Sequence, residues 1–471
     1  MANQQPGPVR PTFRFLQSYV ESESAYGSGG TAYPLAASAR RTIVAKITPK
    51  SPTENVEHAQ GTISHLNDAI AMQDSVECEW EGYAIPSGTI STAPDVDADF
   101  TEGGFNKVDG GGSTTIAASP SSTTTVLQVA DASAIAANTA LVVTIAGVAY
   151  PVFCTVSDGA TPGVLTVTPA LPSAPSTGVT VKEGVTYNLD DDRDSDELSF
   201  QFWASINRVL KRAQGVTPTS MTLNVGGGAA PRLRWSGPGR RGDDLLWTTI
   251  NEGGAFAAGD TTLTVANGDC VPDDVSATNP YYLTIPDNGN GEEVIKVTAV
   301  SGNNLTVVRA QLSTSDVEHV DGSTVVPYAP DGTYAGSPIS PRGGAAYLSA
   351  VATQLLSGSI SFEMALEDLS NLHGDSYVRA GYVSDRVVVN VELEVAARAE
   401  TIAALALGAR RTTLPVFVYA GSVEGSIVGF YCPAVLFEWP ELDFSQREVR
   451  IPLSGQARGT SGVDEAYLFF A

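Results

Sequence analysis

Thr125-Val126-Leu127-Gln128-Val129-Ala130 recurs further along the chain as Thr261-Thr262-Leu263-Thr264-Val265-Ala266. The match continues in order. Val143-Thr144-Ile145 pairs with Leu283-Thr284-Ile285, Val164-Leu165-Thr166-Val167 with Asn304-Leu305-Thr306-Val307, and Gly178-Val179-Thr180-Val181 with Gly322-Ser323-Thr324-Val325. Apolar and polar residues alternate within each stretch, which puts one apolar face on an extended chain and marks half-buried strands. Asp158-Gly159 and Ser301-Gly302-Asn303-Asn304 fall between strands and have hairpin-turn chemistry. Two copies of one small all-β module, immunoglobulin-like or similar, are therefore expected over 115–186 and 254–329.

A second repeat spans the rest of the chain. Ser75-Val76-Glu77-Cys78-Glu79-Trp80-Glu81-Gly82 has the character of Val387-Val388-Val389-Asn390-Val391-Glu392-Leu393-Glu394-Val395. Phe200-Gln201-Phe202-Trp203-Ala204 matches Val416-Phe417-Val418-Tyr419-Ala420, and the stretch from Gly215 to Leu223 matches Tyr431 to Phe437. Pro231-Arg232-Leu233-Arg234-Trp235-Ser236-Gly237 matches Arg450-Ile451-Pro452-Leu453-Ser454-Gly455, so each series closes on Ser-Gly. The Ala-rich segment Arg398 to Arg411 has arginines in its last turn and reads as a short helix. Its counterpart, Ala93 to Phe105, is more acidic and Gly-rich. Residues 18–40 are rich in Ser, Gly and Ala and, with 46–62, read as loops or arms. The domain plan is a discontinuous first unit (1–114 and 187–253), a module inserted at 115–186, a second module at 254–329, and a second unit at 330–471.

Composition agrees with many short strands. The 471 residues include 46 Gly and 28 Pro, and only 17% are charged, too few to cover the exposed faces of long helices. There are 27 basic and 52 acidic residues, a formal net charge of −25, the wrong sign for a protein that grips phosphates. Cys78, Cys154, Cys270 and Cys432 are scattered with no CxxC pair, so buried free thiols are expected. No stretch approaches the roughly 20 apolar residues of a membrane span.

The order of these elements resembles that of the tail tube (major tail) proteins of long-tailed bacteriophages. The resemblance is carried by Val76-Glu77-Cys78-Glu79-Trp80-Glu81-Gly82-Tyr83 followed by Ala93-Pro94-Asp95, by Val185-Thr186-Tyr187-Asn188-Leu189, and by Gly215-Val216 leading to Leu233-Arg234-Trp235-Ser236-Gly237. It implies a mainly β fold: two tandem tail-tube-type β-sandwich or barrel domains, each with a short helix, plus the two extra β modules. It also implies a virion structural protein, made in the host cytoplasm, whose folds close six to a ring and whose rings stack into a tube that conducts DNA during ejection. The expected partners are other copies of the chain, the tape-measure protein, and tail terminator and tip proteins, with double-stranded DNA passing without specific binding. Because this chain holds two copies of the fold, three chains are expected per ring, a pseudo-hexameric homotrimer. The alternative is a tail-tip or baseplate component, or a module that binds host-surface carbohydrate.

Nothing in the sequence points to catalysis, a cofactor or a metal. His58, His65, His319 and His373 show no HxxxH or HExxH spacing. The acidic run Asp190-Asp191-Asp192-Arg193-Asp194-Ser195-Asp196-Glu197 lacks the glycine and terminal glutamate of a calcium loop. Asp287-Asn288-Gly289-Asn290-Gly291-Glu292-Glu293 reads as a hairpin turn. Gly110-Gly111-Gly112 and Gly226-Gly227-Gly228 are not followed by GK[ST] and read as loop tips or linkers. Arg40-Arg41 and Arg240-Arg241 are expected in salt bridges, within the chain or across subunit interfaces. Trp80, Trp203, Trp235 and Trp439 are expected in core or interface.

Overall fold

Eight strands in two groups of four build the frame. In the computed structural model they are β1 (Ala39–Lys50), β2 (Ser75–Tyr83), β3 (Ser220–Gly226), β4 (Ala229–Gly239), β5 (Leu355–Leu369), β6 (Gly381–Ala396), β7 (Val428–Phe437) and β8 (Arg450–Ala457). The structure describes the chain apart from residues 1–15, 25, 28–29, 31–32, 51–52, 58–66, 72–74, 191–198, 207–208, 227, 273–274, 288, 350, 370–380, 400, 403–410, 439–448 and 460–462. All pairings between these strands are antiparallel, in the order β1–β2–β4–β3 and then β5–β6–β8–β7. Strand β3, the last of the first group, pairs with β5, the first of the second, from Ser220 opposite Glu363 to Gly226 opposite Ser357. One continuous sheet thus runs through both repeats.

The first three strands of the two groups agree residue by residue, whereas β7 precedes the counterpart of β3, which starts at Glu438. Between β1 and β2 the register slips where Thr42 and Val44 face Gly82 and Glu81. Between β5 and β6 it slips where Leu355 and Ser357 face Val395 and Glu394. The same bulge in the same place twists both hairpins alike. It aligns Ile47 with Ile360, Cys78 with Val391, and Trp80 with Leu393. The pairings Gly237 to Cys78 and Gly455 to Val391 then align the two Ser-Gly endings.

Alternation explains which face is buried. Ala45, Ile47, Val76, Cys78, Trp80, Leu233 and Trp235 in one group, and Ile360, Val391, Leu393, Ile451 and Leu453 in the other, point into a single core that spans both repeats. A second layer covers it. Over the first group lie Leu16–Ser22, Phe200–Ile206 and Val209–Val216, and over the second lie Ala345–Leu348, Leu414–Ala420 and Tyr467–Phe470. Two sequence expectations are corrected here. Residues 18–40 do not form an arm at their start: Leu16–Ser22 pairs along its length with Phe200–Ile206, and Tyr19 and Val20 are buried. Nor are 46–62 loop throughout, since β1 runs to Lys50 and Thr53–Glu57 pairs with Asn67–Ala71 in a two-stranded hairpin separate from the main sheet. The buried Ser18 and Glu21 of Leu16–Ser22 and the exposed Lys46, Thr48 and Lys50 of β1 disguise these strands as loops.

Each module is a ring of six strands. The first has the order Ser113–Thr115, Thr180–Glu183, Thr139–Ile145, Val148–Ser157, Gly163–Thr168, Val126–Val129. The second has the same order in Thr248–Thr249, Thr324–Pro327, Tyr281–Ile285, Glu293–Ser301, Asn304–Gln311, Thr262–Thr264. Bridges from Ile116 to Val129 and from Ile250 to Val265 join the outermost strands, so neither module keeps the open edges of a two-sheet immunoglobulin sandwich. The modules begin earlier than expected, at 113 and 248, because their first strands are too short and polar to read. Gly110 lies against the backbone of Gly184 where the chain enters and leaves the first module, which leaves no room for a Cβ.

The modules lie on the outer layer, and the first also meets the start of β7, which pairs with Leu414–Ala420 before it joins β8. Phe200, Phe202 and Ala204 face the central core, while Trp203 joins the core of the second module beside Tyr281. Val416 and Val418 face the central core, while Phe417 and Tyr419 face the first module, whose Phe153 stacks on Tyr431 at 4.3 Å. Strands covered on both sides need apolar residues on both sides, which accounts for the runs Phe202–Ala204 and Val416–Ala420. Each module therefore covers the repeat in which it is not inserted or which precedes it. Among the described residues no helix is long and apolar enough to cross a membrane.

Phe153 is fully buried at this seam. Phe153→Ala is expected to destabilise the protein by about 3–5 kcal/mol, with hydrogen exchange rising first in the strands of the first module and in Tyr467–Phe470.

Candidate functional site: the polar face of the sheet

Residues that alternate with the core positions form the opposite face of the sheet, and nearly all are polar. From β1 to β4 it presents Lys46, Thr48 and Lys50, then Glu77, Glu79 and Glu81, then Arg232, Arg234 and Ser236. Next, on β3, come Thr222 and Asn224, and past the joint Ser357, Ser359 and Ser361, then Glu392 and Glu394, then Ser454 and Gln456. A trough of ≈ 630 Å³ on this face is lined by Ser359, Glu392, Glu438 and Ser454, among others. A second, of ≈ 400 Å³, is lined by Lys46, Glu79 and Ser236, which are the matching positions in the first repeat.

Charge on this face is balanced by pairs across strands. Lys46 Nζ lies 2.9 Å from Glu79, Arg234 2.7 Å from the other oxygen of Glu79, and Arg232 3.2 Å from Glu81. Lys50 pairs with Glu77, and Arg450 lies 2.9 Å from Glu394. The hydrogen bond from Lys46, with the Arg234 charge beside it, holds the Glu79 carboxyl below its ordinary range. Exposed pairs of this kind add little stability. They leave no cationic excess: with Glu363 and Glu438 also on this face a small acidic excess remains, and most of the net charge of −25 lies elsewhere. The span 250–332 alone holds twelve Asp or Glu against Lys296 and Arg309.

The short helix α1 (Asp97–Thr101) anchors the first repeat behind this face. Asp99 accepts a 2.7 Å hydrogen bond from Trp80 Nε1 and pairs with the fully buried Arg40. Burial pushes the Arg40 guanidinium down to about 9, against the pull of Asp95 and Glu21. Asp97 accepts the Tyr187 hydroxyl at 2.5 Å and pairs with Lys107 at 3.0 Å. Arg41 meets Asp95 at 3.2 Å, Arg240 donates to the Tyr26 carbonyl at 2.8 Å, and Arg241 meets Asp243 at 3.2 Å. Both arginine pairs thus find partners within the chain. The counterpart helix expected at Arg398 to Arg411 falls largely outside the described residues; at its start the Ile402 N–H donates to the Arg398 carbonyl at 3.0 Å. His58, His65, His373, Trp439 and residues 191–197 of the acidic run also lie outside them.

One cluster of titratable groups was not legible in the sequence. In the second module Glu293 and His319 are fully buried, His319 Nε2 lies 3.0 Å from Glu293, and Arg309 grips Glu293 with contacts of 2.6 and 2.7 Å. Arg309 also lies over the Phe256 ring at 3.9 Å. Every member is turned inward, so the cluster fastens the ring rather than facing a substrate. Asp287 accepts the N–H groups of Gly289 and Gly291, the expected turn. All four cysteines are free and buried. Among the described residues no group of three His, Cys, Asp or Glu side chains is placed to hold a metal. No protein-family model and no curated protein matches the chain.

Two outcomes are expected. Asp99→Ala leaves Arg40 buried without its partner and should cost about 3–5 kcal/mol; the paired change Arg40→Met with Asp99→Leu should recover most of that in denaturant unfolding. Burial alone would push the Glu293 carboxyl up, but hydrogen bonds from Arg309, His319 and the Ala310 N–H hold it down at about 2. A carboxyl whose folded pKa is depressed stabilises the fold above its ordinary value and loses that contribution as pH falls toward 2. Protection of the Glu293–Ser301 strand from hydrogen exchange should therefore fall between about pH 4.5 and pH 2, and Glu293→Gln should flatten that dependence.

Proposed function

We propose that this chain is a structural subunit of a bacteriophage tail tube, in which three copies close a pseudo-sixfold ring and rings stack into a conduit for DNA. One observation carries the reading: the pairing of β3 with β5, which joins the two repeats edge to edge in one sheet. A joint between equivalent units can be repeated between molecules by the same geometry, and a rotation that closes gives a ring with no free sheet edge. Three chains would supply six units. With strands about 4.8 Å apart and tilted by about 40°, such a ring would be roughly 45–50 Å across at the backbone. That leaves space for a DNA duplex inside a layer of side chains.

The polar face supports the same reading. Hydroxyls and mutually paired charges would line the lumen and offer phosphates no net cationic surface to hold them. The modules lie on the opposite layer, which would be the outside of the tube, where strong acidity would keep assembled tubes apart. In this reading the chain works by geometry, and catalysis is not its role.

Negative-stain electron microscopy of the purified protein tests this. Rings or tubes with three chains per ring are expected, and a monomer at all concentrations, or six chains per ring, overturns the reading.

A further inference from the structure

The segment that leads from the second module into the second repeat is fastened to the first repeat. It spans residues 328–344, between the strands Thr324–Pro327 and Ala345–Leu348, and forms no strand of its own. Tyr19, on Leu16–Ser22, donates its hydroxyl to the Pro330 carbonyl at 2.7 Å, and Gln17 donates to the Tyr334 hydroxyl at 3.1 Å. Arg41, on β1, donates to the Ala335 carbonyl and, at 3.2 Å, to the Gly336 carbonyl. Its guanidinium lies over the Tyr334 ring at 5.3 Å and is itself held by Asp95 at 3.2 Å. Gly336 has a φ of +68°, and an added Cβ there would meet the Pro86 carbonyl. Ile339 then enters the central core.

Asp331, Thr333 and residues 335–338 of this strap are exposed, so burial does little to fix its course and the bonds to Tyr19, Gln17 and Arg41 do most of it. Fully extended, a segment of this length spans about 50 Å at roughly 3.3 Å per residue, enough to carry the second repeat to another molecule. Exchange of an identical element between copies costs little, because every contact of β3 with β5 is remade in the exchanged form. The strap contacts are the exception. They hold only while the second repeat lies beside the first repeat of its own chain, since the strap has to leave Arg41 and Pro86 to reach another. We propose that the strap clasped by Arg41 is a device against exchange, which commits β5 to the β3 of its own chain and so delivers the two repeats as one preassembled pair. Only contacts that differ between two arrangements shift the balance between them, and those of Arg41 are charge-assisted. The device acts on the joint within the chain and does not require the ring.

Co-refolding tests this on the full chain. One chain carries Ser220→Cys and another Glu363→Cys, and the two are unfolded together, refolded and mildly oxidised. Ser220 and Glu363 stand directly opposite across the joint, and the Met364 N–H donates to the Thr219 carbonyl at 2.8 Å. That bond marks them as the closer, non-hydrogen-bonded kind of pair, with Cα atoms about 4.5 Å apart and within disulfide reach. The four native cysteines are buried. A disulfide between positions 220 and 363 of the two chains, identified by peptide mapping, reports an exchanged joint. With the strap intact it should be a trace. With Arg41→Ala in both chains it should rise about tenfold, and Tyr334→Ala, which leaves Arg41 and Asp95 paired, should raise it to a smaller extent. A single chain holding both cysteines should close the same disulfide within itself in each background, which shows that the variant folds. Abundant linkage between chains with the strap intact, or no rise in a variant that passes this control, overturns the proposal and leaves the ring reading standing.

Discussion

The hydrogen-bonded joint between β3 and β5 is the constraint on which the rest of the architecture depends. It converts two four-stranded units into one sheet, and therefore two half-cores into one core running from Ala45 and Trp80 to Leu393 and Leu453. Because the units meet edge to edge, their polar residues fall on one continuous face and their apolar residues on the other. The second layer and the modules follow from that division. Strands such as Phe200–Ile206 and Leu414–Ala420 are left with an outer face that must be covered, and a module with Tyr281 or Phe153 at its surface covers each.

Charge is distributed by the same logic. On the polar face Lys46, Arg234 and Glu79 form a row in which each charge has a neighbour of opposite sign. Buried charge includes Arg212, which pairs with Asp243, and two further clusters. Arg40 meets Asp99 behind the sheet, and Glu293 is held by Arg309 and His319 inside the second module. Breaking either would strand an ion in a low-dielectric interior, which is why both act as fasteners.

Much of the fold was legible in the sequence because strand alternation survives duplication. Leu127 and Leu263, or Val143 and Leu283, keep the same inward role in both modules, so the repeats announced themselves. The Ser236-Gly237 and Ser454-Gly455 endings likewise marked equivalent strands. What was not legible depends on contacts far apart in the chain. Leu16–Ser22 reads as polar because Ser18 and Glu21 are satisfied by Thr42 and Ser38, which no local pattern reveals. The closing bridges of the modules rest on strands two to four residues long. Of the candidate site, the acidic and basic residues could be read singly, but their pairing across strands requires the register. His319, read alone, gave no hint of Glu293 and Arg309.

The central claim is that two equivalent sheet units in one chain do the work of two subunits. The mass of an isolated ring, measured by native mass spectrometry, tests it most directly. Three chains per ring is the result this account requires. Six chains per ring would mean that the units within a chain do not occupy equivalent places, and would contradict it.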